Sequence, residues 1–204
     1  MRATSQENMP DMRQVEAAII RVQQGEQESF AFIVDAFQQP VYRYCCRMLG
    51  NRQDAEDAVQ DVLVKAYQSI RGYKPTVSFS AWLYRIAGNH CLNLLRRRRM
   101  QGHFLRVFRP DTAAAAGPEQ TLEERLYSPA LEAALGRLSL EERNLLVLRV
   151  FEEQTFLEIS AILNITPNAL HKRMERIKRK VRETMQAEEG ISWNGQESAM
   201  STKI

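Results

Sequence analysis

Between residues 139 and 167 the chain starts a helix three times. "SLEE" at 139–142 is a capping box, in which Ser139 accepts from the Glu142 N–H while the Glu142 carboxylate reaches back to Ser139. "TFLE" at 155–158 repeats the device with Thr155 and Glu158. Thr166 followed by Pro167 is the third start, because proline lacks only the N–H that a first helical position leaves unused. Starts this closely spaced permit only short helices in tight succession, and they exclude strands there.

The rest of the chain agrees with an all-α reading. Apolar residues recur at helical spacing, and no run shows strand alternation. A first helix is expected over about Val15–Val22, stopped by Gly25. A second has Phe30, Ile33, Val34 and Phe37 on one face, is broken or restarted at Pro40, and is closed by Gly50. A third, "NRQDAEDAVQDVLVKAYQSI", starts at the cap Asn51 with Asp54, Glu56 and Asp57 where the helix dipole favours anions. Its apolar stripe is Ala55, Ala58, Val59, Val62, Ala66 and Ile70. A loop with Gly72 and Pro75 leads to a fourth helix over 80–99, which ends in four arginines. Then "RPDTAAAAGPEQT" loses all amphipathic pattern, so 101–128 reads as a flexible linker. The expected organisation is a tail at 1–14, a helical domain at 15–100, the linker, a second helical domain at 129–187, and a patternless tail at 188–204 with Trp193.

In the second domain, Ile159, Ile162 and Leu163 point a short helix inward, and Asn164 falls at the turn, where it tolerates a left-handed backbone. The next helix buries Leu170, Met174, Ile177 and Val181. Its other faces carry Lys172, Arg173, Arg176, Lys178, Arg179, Lys180 and Arg182 against Glu175. This is a helix-turn-helix whose basic second helix suits a DNA major groove, with Asn168, His171 and Lys172 placed for base edges. A three-helix structural bundle with a solvated basic face is the plainer alternative.

On the fourth helix Leu83, Ala87, Cys91 and Leu94 face the core. Arg85, Asn89, Asn93 and Arg96 form a second stripe of amides and guanidinium groups, the chemistry that reads bases and holds phosphates. Tyr73, Phe79, Trp82 and Tyr84 offer flat faces for an unpaired base, although Phe79 and Trp82 serve equally well as core.

"GNRQDAEDAVQDVLVKAYQSI" followed by "FSAWLYRIAGNHCLNLLRRRR" resembles region 2 of the extracytoplasmic-function (group IV) sigma factors of the bacterial sigma-70 family. "LSLEERNLLVLRVFEEQTFLEISAILNITPNALHKRMERIKRKV" is similar to their region 4. The large domain that housekeeping sigma factors carry between these regions is absent, which fits the small two-domain group. The resemblance implies a promoter-specificity subunit. Asp54, Asp57, Gln60, Asp61 and Lys65 would dock on the coiled coil of the largest subunit of core RNA polymerase, whose flap region is a further implied contact. Lys74, Ser78, Phe79, Trp82, Arg85, Asn89, Asn93, Arg96 and Arg97 would melt and read the −10 element as single strand. Thr166, Asn168, Ala169, His171, Lys172, Arg173 and Arg176 would read the −35 element as duplex. An anti-sigma factor, often membrane-anchored, is the implied regulator. Asn164 stands where the family turn usually has glycine, and His171–Lys172 replaces a commoner Lys-Ser pair.

Other classes are weaker. No glycine-rich phosphate loop appears, and His90, His103 and His171 belong to no cluster with metal-ligand spacing, so no enzyme, metal or cofactor is expected. Cys45, Cys46 and Cys91 do not make a disulfide framework. With no apolar stretch of membrane-spanning length, the expected location is the cytoplasm, at the membrane only through an anti-sigma partner. The formal charge of +3 is too mild to indicate a polyanion partner without the local basic runs. A stand-alone helix-turn-helix regulator stays open as an alternative, with a sensor or dimerisation domain at 15–100. An RNA-binding antiterminator would use the same aromatics but leave the helix-turn-helix unexplained.

Overall fold

The computed structural model describes the backbone of residues 12–75, 77–108 and 128–200, and the side chains of these up to 100 and between 130 and 187, with Ser128. Among the described residues the chain is helical and contains no strand. Residues through Asn93 make one compact unit, and those from Leu94 make a second. The expected 1–14 tail, linker and 188–204 tail lie wholly or partly outside the described residues.

In the first unit, α1 (Met12–Gln23) buries Val15, Ala18, Ile19 and Val22, a helical stripe. A 3₁₀ turn at Gln27–Ser29 leads into α2 (Phe30–Leu49). The break expected at Pro40 does not occur, and α2 is continuous through it. Proline there removes one hydrogen bond and crowds the preceding turn, at a cost of ~3 kcal/mol. Against that, Ile33 and Phe37 before it and Val41, Tyr44, Cys45 and Met48 after it are buried on one face. Several buried side chains at roughly 1.5–3 kcal/mol each outweigh one kink.

Gly50 ends α2 with φ of 71° and gives its N–H to the Cys46 carbonyl at 2.9 Å. Asn51 then caps α3 (Arg52–Ser69), its Oδ1 accepting from Asp54 N–H at 2.9 Å. Two residues thus turn the chain so that α3 packs along α2, and Ala55, Ala58 and Ala66, all at most 1 % exposed, allow close approach. Of the stripe expected on α3, Ala55, Ala58, Val62 and Ala66 are buried, as is Ile70 just beyond the helix; Val59 is only half-buried, and Leu63 is buried in addition. A 3₁₀ turn at Ile70–Gly72 follows. Gln23 of α1 pins it, donating from Nε2 to the carbonyls of Ile70 and Tyr73, both at 2.9 Å. Cys45 and Cys91 bring their sulfurs to 3.7 Å in this core, and all three cysteines are buried thiols.

Helix α4 (Phe79–Phe108) begins at Ser78, whose Oγ accepts from Ala81 N–H at 3.2 Å. It does not stop at Arg99 as the sequence suggested. Residues 100–108 contain no proline, one glycine costs only about 1 kcal/mol, and the residue before Pro110 is the first with a steric reason to leave the helix.

The second unit contains α5 (Pro129–Gly136), α6 (Leu140–Leu146), a π turn at Val147–Phe151, α7 (Phe156–Leu163) and α8 (Pro167–Met200). Both capping boxes form as expected, and Thr166 offers the first helical acceptor, to Leu170 N–H at 3.0 Å. Leu145, Leu148, Ile159, Leu170, Met174 and Ile177 make the core. The α8 helix also runs on through residues 188–200, where the sequence shows no usable pattern.

Candidate nucleic-acid interface

One candidate face is the exposed side of α4. Its position depends on an aromatic cluster at the start of the helix. Phe79 is 2 % exposed and makes edge contacts with Phe37 (5.4 Å between ring centroids) and Tyr73 (5.3 Å). Trp82 lies 5.2 Å from Phe79 and 5.1 Å from Tyr73. This arrangement separates two residues that the sequence left equivalent. Phe79 is core, because neighbouring rings leave it almost no exposed surface, whereas Trp82 and Tyr73 are only half-buried. Tyr84, also named from the sequence as a stacking surface, is 6 % exposed and packs on Tyr44. Burial also pushes the Tyr73 hydroxyl above its ordinary value, so it stays a neutral donor at neutral pH.

Arg85, Asn89 and Asn93 are exposed on α4, four residues apart, so they form one stripe away from the buried Leu83, Ala87 and Cys91. Arg96 and Arg97 continue it and are exposed. Arg96 belongs to the second unit, where its Nη2 donates to Glu141 Oε1 at 2.9 Å and holds that carboxyl below its usual range. Both partners are more than half exposed, so the pair is worth about 0–1 kcal/mol and a phosphate could displace it. Lys74 is exposed, and Ser78 is half-buried as the helix cap.

On α3, Asp57, Gln60, Asp61 and Lys65 are exposed, and Asp54 is half-buried beside the cap. The structure adds a link that sequence reasoning missed. His90 of α4 has Nδ1 at 2.6 Å from Lys65 Nζ and Nε2 at 3.6 Å from Asp61 Oδ2. With an ammonium as donor, Nδ1 must be the acceptor, so Nε2 carries the proton. The His90 side chain is only 9 % exposed. Burial raises the Cys46 thiol above its ordinary value, which keeps it protonated and a poor nucleophile.

The second face belongs to the helix-turn-helix. Asn164 ends α7 at φ 54° and ψ 46°, the left-handed geometry that the sequence required of this turn. On α8, Thr166, Asn168, His171, Lys172, Arg173 and Arg176 are exposed and Ala169 is half-buried. Further along, Lys178 pairs with Glu175 (2.9 Å), Arg179 with Glu183 (3.8 Å) and Lys180 with Glu142 (2.6 Å). The basic run therefore divides: its second half ties the helix to itself and to α6, while its first half presents charge outward.

Residues 33–100 match the family model for sigma-70 region 2, and residues 128–181 match that for sigma-70 region 4. The chain is 30% identical over 171 residues to the ECF RNA polymerase sigma factor SigW of Bacillus subtilis, covering 79% of this chain and 91% of that one. The chain is an extracytoplasmic-function sigma factor of the sigma-70 family. It is an alternative sigma factor directing transcription. This sigma factor is also 25% identical over 187 residues to the RNA polymerase sigma-H factor of Pseudomonas aeruginosa, covering 87% of this chain and 97% of that one. Its fold is similar to that of CnrH solved in complex with the cytosolic domain of CnrY, at TM-score 0.63 and 22% identity, covering 87% of this chain and 99% of CnrH. A second likeness is to the sigma factor RpoE of Bartonella quintana, solved with the anti-sigma factor NepR, at TM-score 0.61 and 18% identity, covering 78% of this chain and 98% of that one. Among the described residues, no helix of the sigma factor is long and apolar enough to cross a membrane.

Proposed function

We propose that this sigma factor divides its work among three helices. The exposed side of α3 (Asp54, Asp57, Gln60, Asp61, Lys65) docks on the largest-subunit coiled coil of core RNA polymerase. The α4 stripe, with Lys74, Ser78 and the half-buried Trp82, opens and reads the −10 element. The first turns of α8 read the −35 element in the major groove. Phe79 serves as the wall against which Trp82 is held and makes no contact with a base.

The observation that carries this reading is the α4 surface. Amide and guanidinium groups recur on one exposed stripe, and a half-buried tryptophan sits at the head of the same helix. Stacking a displaced base on such a ring is worth about 1–3 kcal/mol, enough to trap a transiently unpaired nucleotide. Duplex readers need no such ring, and none of the chemistry requires a metal, a cofactor or a catalytic step by this chain.

The likeness to the Bartonella quintana sigma factor solved with the anti-sigma factor NepR supports a protein partner that masks these faces until a signal arrives. The place of action is then the cytoplasm, where polymerase and promoter are found. Run-off transcription with purified core bacterial RNA polymerase on genomic fragments, with 5′ ends mapped, tests the division. New starts sharing two motifs at fixed spacing are expected. Absence of new starts, together with tight duplex binding by the chain alone, would refute it.

A further inference from the structure

Among the residues facing DNA in the −35 reading, His171 is the one restrained by a neighbouring element through its ring. Its imidazole centroid lies 3.8 Å from the ring centroid of Phe156, with the planes at 39°. Phe156 is the first residue of α7, so the contact joins the two helices of the helix-turn-helix. Phe156 is itself restrained. The preceding Thr155 is engaged by Glu158, whose Oε2 accepts from Thr155 N–H and Oγ1–H, both at 2.8 Å. The Arg149 guanidinium stands 5.1 Å from the Phe156 ring centre, and its Nη1 donates to the Gln154 carbonyl at 3.1 Å.

An exposed side chain at the start of a helix ordinarily changes rotamer on the picosecond-to-nanosecond scale. A ring packed 3.8 Å from that of a half-buried phenylalanine, itself covered by Arg149, is confined. Confinement matters here because hydrogen bonds to base edges are directional, and the ring nitrogens of an imidazole make theirs in the plane of the ring. If the ring turns freely, a purine and a pyrimidine edge can both find a partner. With the ring plane held, the base whose edge lies in that plane is favoured.

We propose that Phe156 is a specificity-determining positioning residue: by packing on His171 it fixes the plane in which the imidazole meets the major groove, so base preference made through His171 depends on a side chain of α7. The proposal rests on the −35 reading of α8 given above.

The test uses the full chain assembled with core polymerase and a promoter library randomised across the −35 element, with bound sequences counted base by base. His171→Ala is expected to erase the preference at one base pair. Phe156→Leu should weaken the preference at that same base pair by about 2- to 10-fold, the range an aromatic pair supports, and leave the other positions unchanged. Phe156→Tyr keeps the ring and should keep the preference. The double variant should lose no more than His171→Ala.

If His171→Ala erases the preference but Phe156→Leu leaves or sharpens it, the −35 reading stands and the positioning role falls. A uniform loss across all positions in Phe156→Leu makes Phe156 merely structural and also overturns the proposal. If His171→Ala alters no position, the assignment of His171 to base reading fails, and the proposal with it. Should Phe156→Leu not fold, the wild-type proton spectrum decides: stacking requires the His171 ring protons to be shifted upfield by the phenylalanine ring, and their absence from that region would overturn the proposal.

Discussion

Glu153 and Asn164 are the non-glycine residues with positive φ among the described residues, at 52° and 54°. Asparagine is suited to that conformation and glutamate is not, since a long side chain gains no local hydrogen bond in return for the crowding of Cβ against the carbonyl. Asn164→Ala is expected to destabilise the second unit by roughly 1–2 kcal/mol and Asn164→Gly to change it by less than about 0.5 kcal/mol. Glu153→Gly should raise stability by roughly 0.5–1 kcal/mol, the relief of strain less the greater freedom of glycine in the unfolded chain. Urea denaturation monitored by circular dichroism checks all three. A destabilising Glu153→Gly would mean that the glutamate side chain makes a compensating contact.

Among the helices, one residue inside an element and one tie between two elements can be tested. In α2, Pro40→Ala restores an N–H to the ladder, so the first unit should gain roughly 1–2 kcal/mol after allowance for a more flexible unfolded chain. A thermal melt that does not rise would show that the flanking packing depends on the proline ring itself. Between α6 and α8 the tie is Glu142. Burial pushes its carboxyl upward, but the Lys180 ammonium at 2.6 Å and the Ser139 N–H at 2.9 Å more than offset this, and the carboxyl lies below its ordinary 4.5. A carboxyl depressed in the folded state stabilises fully above its unfolded value, and that contribution is lost as pH falls through the folded one. The melting temperature of the wild type should therefore drop as pH is lowered below ~4.5, and the drop should be shallower in Glu142→Gln. Equal pH slopes in the two proteins would remove Glu142 from the account.

For the sigma factor acting as a polymerase subunit, two outcomes separate docking from DNA contact. Asp57→Ala combined with Asp61→Ala should weaken binding to core polymerase at least about tenfold, the loss of more than ~1.4 kcal/mol, with an unchanged melting temperature. Unaltered affinity would refute the α3 docking face. Replacing Arg96 and Arg97 together by alanine should slow promoter opening and flatten its logarithmic salt dependence by about 1–2, because each single-strand phosphate contact contributes about 0.7. Identical opening rates across a salt titration would make the two arginines bystanders.

Local signals were legible wherever a side chain acts on its own backbone. The Asn51 cap, the boxes at Ser139 and Thr155, the Pro167 start and the left-handed Asn164 involve residues at most a few positions apart, so their chemistry is written in consecutive letters. Most of the buried stripes of α3, α4 and α8 followed from helical period for the same reason, with Val59, Leu94 and Val181 left half-buried. Three other features were not legible. Continuity of α2 through Pro40 rests on burial shared with other helices, Phe79 and Trp82 differ only in which neighbours cover them, and the Phe156–His171 and Lys65–His90 contacts join residues on different helices. Each depends on which side chains meet across helices, a matter of packing distance and angle. Periodicity says which face of a helix turns inward, but not which side chain it meets there.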